Sequence, residues 1–282
     1  PEVAWRQATS GRPGPVFLDI PIDVLFTPTS EAAVPKLSRH EPDRRSVPPA
    51  EAIDSALDLL ERAERPAIFA GGGAFFSGAQ EELRQFAAMT SVPVFANAKA
   101  RGIVPEWSRL GYGNFALASS PLATQAAGGP ADVVMLLGAR VGMFTGTGPR
   151  SFIPPGAKVI QVDIEPEEIG RSRDVDVALA GDVRDTLRVM MDRARGRTFP
   201  DHAAWLDGLE QSKKMLRAMN DQPASRETPI HQSRVAREIA DALAGDGIIV
   251  ADGGETSIWM AEQAIVLNAG DWLSHGYLGC LG

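Results

Sequence analysis

The middle of the chain constrains the fold most, because helical and strand patterns alternate there from residue 50 to 195. One of the predicted helices is at 119–127. The strand patterns are short apolar runs without period-two alternation, at 66–70, 92–96, 133–137, 159–163 and 177–180. Strands that are apolar on both sides are typical of parallel sheets with helices on both faces. The pattern therefore predicts an α/β fold, with a central, doubly wound parallel-sheet domain of about six strands.

The segment before this domain predicts fewer elements. Residues 1–25 contain a helical stretch at 3–9 and an apolar strand at 16–20. Pro21 ends that strand, because proline lacks the N–H group for the next ladder bond. Residues 26–49 are rich in proline and polar side chains, and we interpret them as a linker.

The end of the chain, 229–282, predicts the start of a second α/β unit. A helix at 231–244 is followed by an apolar strand at 248–252 and a loop that opens another helix. A polar connector with one helix, 196–228, precedes this unit. The chain starts at Pro1 rather than at a methionine and closes on a glycine-rich loop, so we expect a piece of a longer protein.

The composition narrows the classes of function. The chain has 28 Lys and Arg against 36 Asp and Glu, a net charge of −8, which argues against nucleic acid as a partner. One cysteine, Cys280, excludes an internal disulfide framework. No apolar run is long enough to span a membrane, and no signal segment is evident. These features predict a cytoplasmic enzyme or binding protein with a small-molecule ligand.

Three loops of the central domain follow strand ends, where open α/β sheets bind ligands. The glycines at 71–73 either approach a phosphate closely or form a tight turn into a helix that starts near Ser77. Arg140 can clamp a diphosphate or pair with a surface carboxylate. Asp163 can accept from a ribose hydroxyl or cap the short helix after it. Neither the Rossmann fingerprint nor a Walker A loop is present.

A fourth loop, 252–256, opens the last predicted helix. Its two glycines and the Thr256 hydroxyl form either an anion cradle or a plain helix cap. The glycine-rich stretch 276–282 strengthens the cradle interpretation, and the adjacent His275 is a candidate pocket residue. Residues 245–247, Gly-Asp-Gly, imitate a metal-binding turn, but they precede a strand instead of following one. We interpret them as a helix stop.

Several motifs occur in the order seen in one family. They are Gly-Arg-Pro-Gly-Pro-Val-Phe-Leu-Asp-Ile-Pro (11–21), Glu-Arg-Pro-Ala-Ile-Phe-Ala-Gly-Gly-Gly (64–73), Gly-Ala-Arg (138–140), Val-Ile-Gln-Val-Asp-Ile-Glu-Pro-Glu-Glu-Ile-Gly (159–170), Gly-Asp-Val (181–183) and His-Gly-Tyr-Leu-Gly-Cys-Leu-Gly (275–282). Together they resemble the thiamine diphosphate (ThDP)-dependent enzymes of the acetolactate synthase type. That group includes benzaldehyde lyase, 2-hydroxyacyl-CoA lyase and oxalyl-CoA decarboxylase.

The resemblance implies three α/β domains, of which only the central one, 50–195, is whole. Residues 1–25 would be the C-terminal tail of the pyrimidine-binding domain, and 229–282 the N-terminal part of the diphosphate-binding domain. The catalytic glutamate and the Mg²⁺ ligands of the family fall outside these residues. The resemblance therefore implies no catalytic residue or metal ligand here, and an inactive fragment when the chain is alone.

The resemblance also implies cofactor contacts. Those to ThDP are Gly253, Gly254, Glu255 and Thr256 at the diphosphate, Gly279 at the aminopyrimidine, Leu281 as the apolar residue that supports the bent cofactor, and the intervening Cys280. Those to a nucleotide in the central domain, either FAD or ADP, are Gly71, Gly72, Gly73, Arg140, Asp163 and Asp182. Glu255 and Thr256 depart from the Gln-His of many acetolactate synthases, and Ser257 departs from the aromatic residue of benzaldehyde lyases.

The function that follows from the resemblance is that of a ThDP- and Mg²⁺-dependent carbon–carbon lyase or carboligase. Its substrates would be 2-keto acids, aldehydes or 2-hydroxyacyl groups, and its sites would form between subunits of a homodimer or homotetramer. The alternative is a non-catalytic nucleotide-binding or regulatory α/β module, which depends on the central glycine loop and Arg140.

Overall fold

A computed structural model of the chain describes residues 2–34, 46–96, 98–106, 108–113, 129–142, 153–219, 228–243 and 245–274. The chain divides into two units, Pro1–Ser46 and Val47–Gly282, each held mainly by its own contacts. The predicted helix at 119–127 lies outside the described residues.

The first unit contains helices α1 (Glu2–Thr9) and α2 (Ile22–Phe26) and a 3₁₀ turn at Glu31–Ala33. The predicted strand at 16–20 is wrong: these residues form no strand, and the Phe17 side chain is 89% exposed. A strand is stable only when a neighbour completes its ladder, and no described residue pairs with this segment.

The second unit contains a six-stranded sheet in which every strand pair is parallel, with the order β3-β2-β1-β4-β5-β6. Its strands are β1 (Pro66–Ala70), β2 (Val94–Ala96), β3 (Gly111–Tyr112), β4 (Val133–Leu137), β5 (Lys158–Asp163) and β6 (Val177–Ala180). The predicted α/β fold with a parallel sheet of about six strands is confirmed. The sequence pattern missed β3, because two residues are too short for a periodic signal.

Helices cover both faces of this sheet. They are α3 (Ala50–Arg62), α4 (Gly72–Phe76), α5 (Gln80–Thr90), α6 (Val183–Arg193) and α7 (Ala203–Met219). Helices α3, α5 and α6 pack their apolar side chains on the face that carries Ile68 and Met135. The opposite face, with Phe69 and Leu136, packs against α7 through Trp205, whose indole N–H donates to the Pro66 carbonyl oxygen at 2.8 Å.

The last elements are α8 (Gln232–Leu243), β7 (Ile249–Ala251), α9 (Glu255–Gln263) and β8 (Trp272–Ser274). Strands β7 and β8 pair in parallel, and Trp272 packs with Ala236 of α8 and Met260 of α9. Gly245 follows α8 with φ of +77°, so the interpretation of 245–247 as a helix stop is confirmed. No helix in the described part of the chain is both long and apolar enough to cross a membrane.

Candidate functional site

The carboxyl ends of all six central strands lie at one edge of the sheet. Strand β1 has β2 and β3 on one side and β4 on the other, so the direction of chain growth reverses between β1 and β4. The crevice at such a reversal is where open α/β sheets bind ligands. The glycines at 71–73 follow β1 and Arg140 follows β4, whereas Asp163 ends β5 and Asp182 follows β6. The structure therefore brings all the predicted nucleotide residues to one edge.

The glycines at 71–73 are packed against the loop after β4. The Gly73 N–H group donates to the Gly138 carbonyl oxygen at 3.0 Å. A Cβ atom on Gly71 would lie 2.4 Å from that same oxygen, and one on Gly73 would lie 2.6 Å from the Gly138 Cα atom. This contact matches the tight-turn interpretation for Gly71 and Gly73. Gly72 is less crowded, since its Cβ would lie 3.6 Å from the Lys99 side chain.

The helix after these glycines begins earlier than the sequence predicts. It starts at Gly72 as the one-turn α4, whereas Ser77 is the residue at its end rather than its start. Glycine has a low intrinsic helix propensity, so the sequence pattern did not predict a helix over these residues. The amide groups of the first turn consequently lie directly at the crevice between β1 and β4.

Arg140 lies beside a carboxylate. Its Nη1 atom is 3.7 Å from Glu168 Oε1, and its side chain is 48% exposed. The same oxygen of Glu168 is 3.1 Å from Arg171 Nη1. Of the two predictions for Arg140, the structure contains the pair with a carboxylate, and a diphosphate would compete with Glu168 for the guanidinium group.

The two aspartates at this edge are buried, with 7% of Asp163 and 6% of Asp182 exposed. The Asp163 carboxylate accepts a hydrogen bond from the Glu165 N–H group at 3.0 Å, but the predicted cap is wrong, because Glu165 is the N-cap residue of the 3₁₀ turn Pro166–Glu168 and no side chain caps that turn. The Asp182 carboxylate caps α6 by accepting from the Asp185 N–H group at 3.1 Å, and it also accepts from the Ser77 hydroxyl at 2.9 Å. Both side chains thus have structural partners.

The loop at 252–256 joins β7 to α9 and is exposed at most positions. Gly254 precedes the helix with φ of +87°, a conformation that favours glycine, and no side chain caps the first amide groups of α9. The Ser257 hydroxyl donates to the Gly254 carbonyl oxygen at 2.7 Å, which orders the turn. Amide groups at a helix start fit a diphosphate, so the cradle interpretation is compatible with this loop.

The other predicted ThDP contacts, Gly279, Cys280 and Leu281, lie outside the described residues, as does His275. Strand β8 ends at Ser274, which is in register with Ala251 at the end of β7. Because the strands are parallel, the chain leaves both of them at the same edge of this small sheet.

Residues 53–190 match the family model described as the thiamine pyrophosphate enzyme, central domain. Thiamine pyrophosphate is another name for ThDP. These residues belong to that family. The family assignment covers α3 to α6, and therefore all six strands and the carboxyl edge of the central domain.

Similar proteins extend the match to nearly the whole chain. The acetolactate synthase large subunit of Corynebacterium glutamicum is 31% identical over 99% of this chain and 44% of its own length. The acetolactate synthase large subunit of Parasynechococcus marenigrum is 33% identical over 99% of this chain and 45% of its own length. Oxalyl-CoA decarboxylase of Escherichia coli K12 is 30% identical over 95% of this chain and 48% of its own length. The resemblance to ThDP enzymes of the acetolactate synthase type is confirmed. The chain spans about half the length of the curated relatives it matches.

The sequence pattern gave no indication of a buried ion pair within the central-domain loop at 101–106, which also hydrogen-bonds the residues after α9. Arg101 Nε and Nη2 donate to the two carboxylate oxygens of Glu106 at 2.7 and 2.8 Å. These residues lie in a loop that carries no helical or strand period, and only their spacing of five residues among apolar neighbours could have indicated a pair. Among the described residues, no three His, Cys, Asp or Glu side chains gather as a metal site.

Proposed function

We propose that this chain is part of a ThDP-dependent enzyme that cleaves or forms carbon–carbon bonds. The observation that carries the proposal is the central-domain family match, together with similarity to acetolactate synthase large subunits over 99% of the chain. ThDP, when bound, supplies a carbon nucleophile that adds to a carbonyl carbon. The substrates we propose are therefore 2-keto acids, aldehydes or 2-hydroxyacyl groups.

The loop at 252–256 is the part of the described chain that we propose to hold the diphosphate. The first amide groups of α9 would donate to phosphate oxygens, and Gly254 would allow the backbone to approach them. The Thr256 hydroxyl would add one donor. The Glu255 carboxylate lies in the same turn and would repel the diphosphate. We include Mg²⁺ in the proposal, with its ligands outside these residues, because a bound cation would offset the negative charge of the diphosphate.

The test is turnover of the full-length protein with pyruvate, benzoin, a 2-hydroxyacyl-CoA and oxalyl-CoA. Each substrate is incubated with and without ThDP and Mg²⁺, and products are identified by mass spectrometry. We expect cofactor-dependent product from one of these substrate classes. Absence of ThDP binding in calorimetry, with no turnover of any of the four, would reject the proposal.

We also propose an adenine nucleotide, as ADP or as part of FAD, at the carboxyl edge of the central domain. Support comes from the crevice between β1 and β4, where the Gly72 backbone and the Arg140 guanidinium carry groups that a phosphate would contact. Lys99, after β2, lies beside Gly72. The Gly73–Gly138 contact narrows this crevice. Flavin absorbance of the purified protein and calorimetry with ADP distinguish the two ligands, and a protein that binds neither would reject this site.

We propose in addition that the full-length protein forms a cytoplasmic homodimer or homotetramer, because the resemblance implies ThDP sites that form between subunits. Sedimentation velocity at several protein concentrations, with and without ThDP, tests the assembly. A monomer at all concentrations would contradict it.

A further inference from the structure

The loop after β2 holds a buried pair of opposite charges. Arg101 and Glu106 form a two-point contact, in which Nε and Nη2 of the guanidinium each donate to one carboxylate oxygen, at 2.7 and 2.8 Å. Their side chains are only 5% and 7% exposed. Two charges withdrawn from water in this way require well-aligned partners, because the desolvation cost otherwise exceeds the attraction between them.

Both side chains also bind the segment that joins α9 to β8. Arg101 Nη2 donates to the Ala264 carbonyl oxygen at 3.0 Å, and the guanidinium lies over the Trp272 ring, 4.5 Å from its centre. The Glu106 carboxylate accepts from the Val266 N–H group at 2.9 Å, and the Glu106 N–H group donates back to the Val266 carbonyl oxygen at 3.2 Å.

Glycine allows the two segments to come this close. Gly102 has φ of +77°, and a Cβ atom there would lie 2.2 Å from the Asn268 carbonyl oxygen. A Cβ atom on Gly113 would in turn lie 2.3 Å from the Glu106 carboxylate. The loop at 101–106 is therefore fitted against residues 264–272 through backbone contact as well as charge.

Strength alone does not explain an ion pair at this place. Apolar side chains of similar volume often hold a buried interface equally well. The charged pair adds hydrogen bonds whose geometry fixes the orientation of the groups that they join. The bonds from Arg101 and Glu106 fix the segment 264–272 in one orientation. That segment connects the helix that begins in the 252–256 loop with the strand that ends at Ser274.

We propose that Arg101 and Glu106 are positioning residues for ThDP: they fix residues 264–274 on the central domain and thereby orient the 252–256 loop toward the diphosphate. This inference rests on the proposed function. It predicts that cofactor affinity depends on the geometry of the pair and not on the stability that the pair contributes.

The test uses the full-length protein, with ThDP affinity measured by calorimetry and stability measured by thermal unfolding. The double variant R101M/E106L replaces the pair by apolar side chains and removes the side-chain partners of the Ala264 carbonyl and Val266 N–H groups, so we expect a lower melting temperature, as in the stability control below. We expect its ThDP Kd to rise about tenfold or more, because the loops lose their fixed orientation. The R101K variant keeps the charge but not the two-point contact, and we expect a smaller loss in the same direction.

Leu187→Ala is the matched control. Leu187 is fully buried between α6 and the central sheet, and its truncation lowers stability without altering the contacts of residues 264–272. At a temperature where the protein is folded, its ThDP Kd should equal that of the unaltered protein. Amide hydrogen exchange in residues 264–274 should rise in R101M/E106L and R101K and stay unchanged in L187A.

The outcomes separate the two proposals. Unchanged ThDP affinity in both R101M/E106L and R101K would overturn the positioning role, and so would an equal loss of affinity in L187A. If the unaltered protein does not bind ThDP, the proposed function fails, and the exchange of residues 264–274 still reports whether Arg101 and Glu106 hold the segment.

Discussion

The central sheet and the β7–β8 pair are built from the same kind of apolar parallel strand, but their faces are covered differently. In the central sheet, Leu136 is fully buried on the face under α7, and Met135 is fully buried on the other face. In the pair β7–β8, Trp272 is buried against α8 and α9, whereas Val250 is 75% and Leu273 47% exposed. An apolar run thus predicts a strand, but its burial depends on the layer that packs against each face.

The largest effect should come from truncating matched leucines in these two regions. Leu136→Ala leaves a cavity between the sheet and α7, and we expect a loss of about 3 kcal/mol in the free energy of unfolding. Leu273→Ala removes a side chain that is already half in water, and we expect a loss below about 1 kcal/mol. Urea unfolding of this chain measures both. Equal losses of unfolding free energy would contradict the conclusion that the face of the central sheet is buried more completely than that of the β7–β8 pair.

The next effect concerns the tight contact at the carboxyl edge of the central sheet. Gly71→Ala places a Cβ atom 2.4 Å from the Gly138 carbonyl oxygen, so backbone must move, and we expect a loss of about 2 kcal/mol. Gly72→Ala is the control. Its Cβ meets only the flexible Lys99 side chain, and stability should stay within about 0.5 kcal/mol. If G71A is as mild as G72A in urea unfolding, the crevice can widen, which would favour the proposed nucleotide.

The particular residues show what sequence could predict. Strands β1, β4, β5 and β6 follow directly from apolar runs, and the carboxyl edge follows from their parallel order. The contact of Gly71 with Gly138 could not be predicted, because it depends on which strands become neighbours. The wrong prediction of a strand at 16–20 has the same cause. Its side chains are apolar, but an apolar run does not specify which strand will pair with it.

A smaller effect should distinguish the aspartates at the two carboxyl edges. Asp182→Ala removes the cap of α6 and the acceptor of the Ser77 hydroxyl, and we expect a loss of about 1 to 2 kcal/mol. Asp252 is exposed after β7, where it accepts from the neighbouring Gly253 N–H group at 2.7 Å. Asp252→Ala should change the free energy of unfolding by less than about 0.5 kcal/mol. Equal losses of unfolding free energy in the two variants would mean that the carboxyl edge of β7 is as well ordered as that of the central sheet.

The smallest effect is a change of the free energy of unfolding with pH. Its size is set by how well α7 excludes water from the central sheet. His202 lies just before α7 and is 6% exposed, and its Nε2 atom has no hydrogen-bond partner among the described residues. Burial lowers the pKa of His202, because it disfavours the charged imidazolium. The unfolded chain therefore binds this proton first, below about pH 6.5. The contribution of the neutral, buried His202 to the free energy of unfolding is therefore fully present above that pH, and it is lost as the pH falls toward the lower pKa of the folded state.

His202→Asn should remove this dependence while keeping the fold, because asparagine tolerates the φ of +50° at this position. Thermal unfolding at pH 7.5 and pH 5.5 should show a smaller drop in melting temperature for H202N than for the unaltered chain. His231, exposed before α8, provides the matched control, and H231N should keep the full drop. An equal drop in H202N and the unaltered chain would mean that water reaches His202, and that the central sheet is covered on this side no better than the β7–β8 pair.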